Sequence, residues 1–103
     1  VILEPFRDNG PTKGYLNKVR SLTKKYGAVL IFDEVTSGFR ETLGAMYKTT
    51  KIIPDMVTFG KAISNGIPMS ALLGKSNIMK SFYNTFISST YWGDRNFNLL
   101  SNL

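Results

Sequence analysis

Residues 30–38 read Leu30-Ile31-Phe32-Asp33-Glu34-Val35-Thr36-Ser37-Gly38, and this stretch decides the fold. It continues an uninterrupted apolar run that begins at Ala28 and ends at Phe32. A run apolar on both faces belongs to a strand covered on both sides, as in a parallel sheet packed under helices. It closes on two acids, Asp33 and Glu34, where such sheets carry their chemistry: the carboxyl ends of the strands. Moving downstream, Asp55 to Phe59 reads as a shorter strand followed by Gly60-Lys61. Ser70 to Leu73 reads as another, and Ser76 is placed to cap a helix running to about Asn84. Moving upstream, Val1 to Leu3 reads as a strand ended by Glu4-Pro5, and Arg7 to Thr12 as a loop around Gly10-Pro11. Between loop and core strand, Lys13 to Tyr26 has Tyr15, Leu16, Val19, Leu22 and Tyr26 at helical spacing, with Gly27 as the stop. Its Lys18, Arg20, Lys24 and Lys25 read as a solvated face. The fold class expected is α/β, a three-layer, mostly parallel sheet flanked by helices.

Composition narrows the chemistry. At 103 residues and 43% hydrophobic content, the chain suffices for one modest core and no more. It has neither histidine nor cysteine, which excludes a histidine triad, thiol catalysis, disulfides and His- or Cys-ligated metals, and fits a cytoplasmic protein. The longest apolar run, five residues, is far from the ~20 of a membrane helix. Thirteen basic against seven acidic residues leave +6, which raises a basic binding module as a rival reading. The thirteen aromatics fall at core periodicities rather than among the basic residues, as a base-stacking surface would require, so no nucleic acid and no membrane is expected as partner. Both ends of the sequence are apolar and strand-like, so the expectation is an internal fragment of a longer protein.

An apolar strand ending in Asp-Glu has two uses. In a P-loop ATPase the pair binds magnesium and activates water. Here no Ser-Gly-Gly signature precedes the strand and no histidine follows it, which weighs against that use. The other use is a carboxylate that keeps a heteroaromatic nitrogen protonated, as pyridoxal phosphate requires together with a Schiff-base lysine. Asp33 and Lys61, carried by neighbouring strand ends, supply that pair. The plainer alternatives are an Asp that only shapes a turn and a Lys that only faces water. Against them, Lys61 sits between a strand and the turn Asn65-Gly66-Ile67-Pro68, beside a glycine that permits close backbone approach.

Four segments, in this order and spacing, resemble the class III aminotransferases, fold-type I pyridoxal-phosphate enzymes, and within them the glutamate-1-semialdehyde aminomutase branch. They are Glu4-Pro5, the run from Leu30 to Arg40, Pro54-Asp55 through Gly60-Lys61, and Gly66-Ile67-Pro68 with Ser70-Ala71 and Gly74. The resemblance implies that Asp33 partners the pyridinium nitrogen, Val35 packs on a ring face and Lys61 forms the Schiff base. It implies that Thr90 reaches the cofactor phosphate of a neighbouring subunit, and that Glu4 is structural. The implied activity is amino transfer from a small-molecule amino donor to a carbonyl acceptor, or the intramolecular aminomutase version, in a homodimeric parent. On this reading residues 1–103 are an internal fragment of the cofactor-binding large domain, without a complete small domain. Thr36 departs from the Gln common at its position, and Gly93-Asp94-Arg95 from the Gly-Asn-Pro that commonly follows the phosphate threonine.

Overall fold

The computed structural model describes residues 1–88. Four strands form one sheet in the order β1 (Ile2–Leu3), β2 (Ile31–Asp33), β3 (Met56–Phe59), β4 (Ala71–Gly74). The first three are parallel and β4 is antiparallel to β3, so the mostly parallel α/β architecture holds. Parallel neighbours need crossovers. The first is helix α1 (Tyr15–Lys25), and the second contains a short helix, α2 (Tyr47–Thr50), that the sequence pattern does not announce.

Register fixes which residues share a face. Leu3, Phe32 and Val57 lie side by side, and all three join Leu16, Val19 and Leu30 in the core beneath α1. Phe32 and Leu30 are wholly buried, each contributing about 1.5–3 kcal/mol on transfer from water. The helix ends as its sequence requires. Gly27 takes the left-handed conformation, its N–H reaches Lys24 O, and the Ala28 N–H reaches Thr23 O.

The helix presents a different face from the one its apolar spacing suggests. Leu16, Val19, Arg20 and Thr23 turn inward, while Tyr15, Leu22 and Tyr26 are exposed. Arg20, expected on the solvated face, is the reason. Its guanidinium forms a two-pronged ion pair with Asp55, at 2.7 and 3.1 Å, where β3 begins. A carboxylate below the helix outweighs two tyrosines that also gain from reaching water. Asp55 takes two further bonds, from the Leu30 N–H (2.9 Å) and from Lys75 Nζ (2.6 Å). Lys75 also replaces Ser76 as the cap of helix α3 (Ser76–Met79), because its own N–H is tied to Asp55 O. Residues Lys80–Asn84 continue as a 3₁₀ turn rather than as the same helix. Glu4 pairs with the Arg7 side chain on the surface.

Burial alone would raise the Asp55 pKa. The hydrogen bonds from Arg20, Lys75 and Leu30 N–H, with the Arg20 charge, more than offset it and hold the carboxyl well below the usual range. A depressed acid stabilises the fold fully above its ordinary value of roughly 4, and this contribution is lost as pH falls through the folded value. We therefore expect Arg20→Ala to cost about 1.5–3 kcal/mol, since it removes the two charge-assisted prongs and leaves the buried carboxylate only the Leu30 N–H and the half-exposed Lys75. Lys75→Ala, whose partner stays bonded and whose ammonium is half exposed, should cost under about 1 kcal/mol. Urea unfolding of the two variants checks the contrast, and equal losses would contradict the ranking.

Candidate active site at the carboxyl ends of β2 and β3

Asp33 is the last residue of β2 and pairs with Thr58 of β3. Its side chain faces away from Phe32, because alternate residues of a strand face opposite ways. Oδ1 accepts the Val35 N–H at 3.1 Å, closing a local turn, and the Thr58 hydroxyl at 3.3 Å. Among the described residues, Oδ2 has no hydrogen-bond partner. The carboxylate is thus oriented by two donors on one oxygen and offers the other outward. Thr58 was not foreseen as a site residue; its signal is the period-2 alternation of β3, which puts Thr58 on the face that Asp33 uses.

Lys61 follows β3 after one residue, Gly60. A side chain on Gly60 would lie 3.3 Å from Val35 Cγ1, so the glycine lets the end of β3 close on the turn after β2. Lys61 adopts φ 43°, the left-handed region that a lysine enters only when its surroundings insist. Two bonds hold it there: Ile63 N–H to Gly60 O (3.2 Å) and Ser64 Oγ to Lys61 O (2.8 Å). The exposed side chain reaches back to the turn after β2, where Nζ donates to Thr36 Oγ1 at 2.8 Å. The structure therefore places Asp33, Val35 and Lys61 on adjoining segments at the carboxyl ends of β2 and β3, together with Thr36 and Thr58. Thr90 lies outside the described residues. Lys75, the other lysine after a strand, is at the opposite end of the sheet, because β4 runs antiparallel to β3 and its ammonium is spent on Asp55.

Glu34, adjacent to Asp33, does not join the site. It is completely buried, and Oε2 accepts the Met46 N–H at 2.7 Å. Its backbone N–H bonds Thr58 O, and its O receives the Gly38 N–H. Gly38 is required there, since a Cβ would stand 2.6 Å from the Phe59 ring and 2.8 Å from Glu34 O. Glu34 thus binds the turn at residues 34–38 to both β3 and the start of α2. The two acids diverge, and no group of three or more acidic residues among the described ones converges on a metal position.

A carboxylate oxygen without a partner among the described residues and a lysine amine, at adjoining ends of parallel strands, could hold a cofactor with a protonatable ring nitrogen and an electrophilic carbon. The residues fit pyridoxal phosphate. Comparison with known proteins bears this out at the level of the family: the model for class-III aminotransferases matches residues 1–102, and the chain belongs to that family. Over 84 residues, 78% of this chain, it is 48% identical to glutamate-1-semialdehyde 2,1-aminomutase of Sulfurihydrogenibium sp. (strain YO3AOP1), and that stretch is 20% of the relative's length. An omega-transaminase from Sphaerobacter thermophilus superposes with TM-score 0.78 at 30% identity, over 88% of this chain and 23% of the other. The PLP internal aldimine form of the FumI protein of Sphingopyxis sp. MTA144 gives TM-score 0.78 at 28% identity, over 89% and 24%. The chain spans about a fifth of the length of the curated relatives it matches. These proteins share a family of pyridoxal-phosphate-dependent enzymes.

Burial pushes the Glu34 carboxyl upward, and the Met46 N–H only partly counters it. A raised acid contributes full stability below its ordinary value, about 4.3, and loses that contribution as pH rises through the folded value. Oε1, which has no partner among the described residues, suits the neutral form. Glu34→Gln keeps the carbonyl that accepts from Met46 but cannot ionise. Its unfolding midpoint should stay level where the parent's declines on the alkaline side. Parallel pH profiles for the two proteins would contradict the assignment.

Proposed function

We propose that this chain is part of the cofactor-binding large domain of a pyridoxal-phosphate enzyme that moves an amino group from a small-molecule donor to a carbonyl acceptor. The observation that carries the reading is the strand-end pair: Asp33 with one oxygen held and the other without a partner among the described residues, and Lys61 just past the end of the next parallel strand. The aminomutase version, in which donor and acceptor are one molecule, is the second reading. It is favoured by the 48% identity to a glutamate-1-semialdehyde 2,1-aminomutase. The same reading makes the parent enzyme a cytoplasmic homodimer, with Thr90 contributed to the neighbouring subunit's phosphate site.

When bound, pyridoxal phosphate supplies an electron sink for the carbon that carries the amino group. Asp33 Oδ2 would accept the ring N–H and keep that nitrogen protonated, because a charge-assisted bond to a carboxylate favours the cationic ring. Its bonds to Val35 and Thr58 keep the acceptor from swinging away. Val35, held beside Gly60, provides an apolar wall for one ring face. Lys61 Nζ would be the amine that holds the cofactor covalently. Once released, it would be the base that takes the proton from the substrate's amino-bearing carbon and the acid that returns one.

In the full-length enzyme, Lys61→Ala should abolish covalent retention of pyridoxal phosphate, read by borohydride trapping and peptide mass spectrometry. Lys61→Arg should fail equally, since guanidinium is effectively never deprotonated. Asp33→Asn should keep the covalent link yet lose at least about a hundredfold in turnover, because a neutral amide cannot hold the ring proton. Glu34→Gln, remote from the ring, should leave turnover near the parent's. An adduct retained in Lys61→Ala, or equal losses from the two acid variants, would overturn these roles.

A further inference from the structure

We propose that Thr36 is a positioning residue for the Lys61 amine, giving it a fixed resting place at the strand ends whenever it is not covalently engaged. The inference rests on the functional reading of Lys61 above and goes beyond it in naming what aims that side chain. The Lys61 ammonium donates to Thr36 Oγ1 at 2.8 Å, and this is its hydrogen bond among the described residues. Both ends of the contact are independently fixed. Lys61 sits at φ 43° beside the bonds from Ile63 N–H to Gly60 O and from Ser64 Oγ to Lys61 O, and the turn bearing Thr36 is closed by the Gly38 N–H on Glu34 O. The carboxylate that would face the ring nitrogen also holds the residue just before Thr36, through the Val35 N–H on Asp33 Oδ1.

A hydroxyl suits the task for a chemical reason. It accepts from an ammonium and donates to a neutral amine, so it can hold Lys61 in either protonation state. A carboxylate in its place could only accept, and would favour the charged form that cannot attack. An apolar side chain would release a four-bond side chain to its many rotamers, and an exposed lysine has most to lose by being ordered. Holding the amine in place spares that search at the moment of reaction.

The test uses full-length enzyme freed of cofactor, with Thr36→Val, which keeps the shape but not the hydroxyl, and Thr36→Ser, which keeps the hydroxyl. Two readouts are taken by peptide mass spectrometry: the rate of borohydride-trapped capture of pyridoxal phosphate at Lys61, and labelling of Lys61 by acetic anhydride relative to Lys18 and Lys24. Thr36→Val should capture the cofactor roughly tenfold more slowly, as expected when a long side chain regains its freedom. Its Lys61 should label faster than the parent's, because the amine has left its partner, and Thr36→Ser should restore both values. Thermal midpoints report whether the variants fold alike. Val and parent indistinguishable in both readouts would overturn the proposal, as would Val and Ser equally slow, which would mean shape rather than the hydroxyl matters. Capture at another lysine in the parent enzyme would sink the functional reading and this proposal together, whereas unchanged capture at Lys61 sinks this proposal alone.

Discussion

The buried carboxylate of Asp55 is the interaction on which the rest of the arrangement depends. It ties four elements at one point: α1 through Arg20, the segment entering β2 through the Leu30 N–H, β3 through its own backbone, and the end of β4 through Lys75. Taking a carboxylate out of water is costly unless its lone pairs are filled, and here the two Arg20 prongs, the Leu30 N–H and Lys75 Nζ fill them. Because Asp55 stands at the amino end of β3 and bonds beside β2, it sets the stagger of the two strands. That stagger determines that Asp33 lies opposite Thr58 and that Lys61 emerges next to the turn after Asp33. The chemistry sits at one end of the sheet, and the anchor that aligns it sits at the other.

The division of labour between the neighbouring acids follows from the same geometry. Asp33 and Glu34 leave a strand end in opposite directions, so one reaches the site and the other the interior. Asp33 stays half-buried, with donors on one oxygen. Glu34 is sealed in and serves as a strut between β3, the turn and α2. Two acids in sequence are therefore not two acids in space.

Much of this was legible in the sequence, for reasons that are local. The apolar run into Asp33 and the glycine before Lys61 mark strand ends without reference to anything distant, and their order along the chain matches the family. What escaped depended on partners far away in sequence. Arg20 looks like one more surface cation until Asp55 is placed beneath it, 35 residues on. The inward face of α1 is accordingly displaced from the stripe that spacing alone selects. Ser76 looks like a cap until Lys75 is drawn to the same carboxylate. The helix α2 is four residues long, too short to leave a periodic trace. The Thr36–Lys61 bond joins two loops that only strand pairing makes neighbours.

The antiparallel turn-back of β4 has a consequence for the order in which the fold assembles. β3 and β4 are the paired strands nearest in sequence, so their union closes the shortest loop, and that loop carries Lys61. The parallel pairings that bring β2 to β3 and β1 to β2 enclose longer crossovers and cost more chain entropy before any contact repays it. The lysine-bearing hairpin is thus the cheaper piece to form, and the Asp33 strand is joined to it afterwards. Loop-closure cost thus favours the hairpin that carries Lys61 over the parallel pairing that brings Asp33 to it, by roughly 0.6 kcal/mol per doubling of loop length.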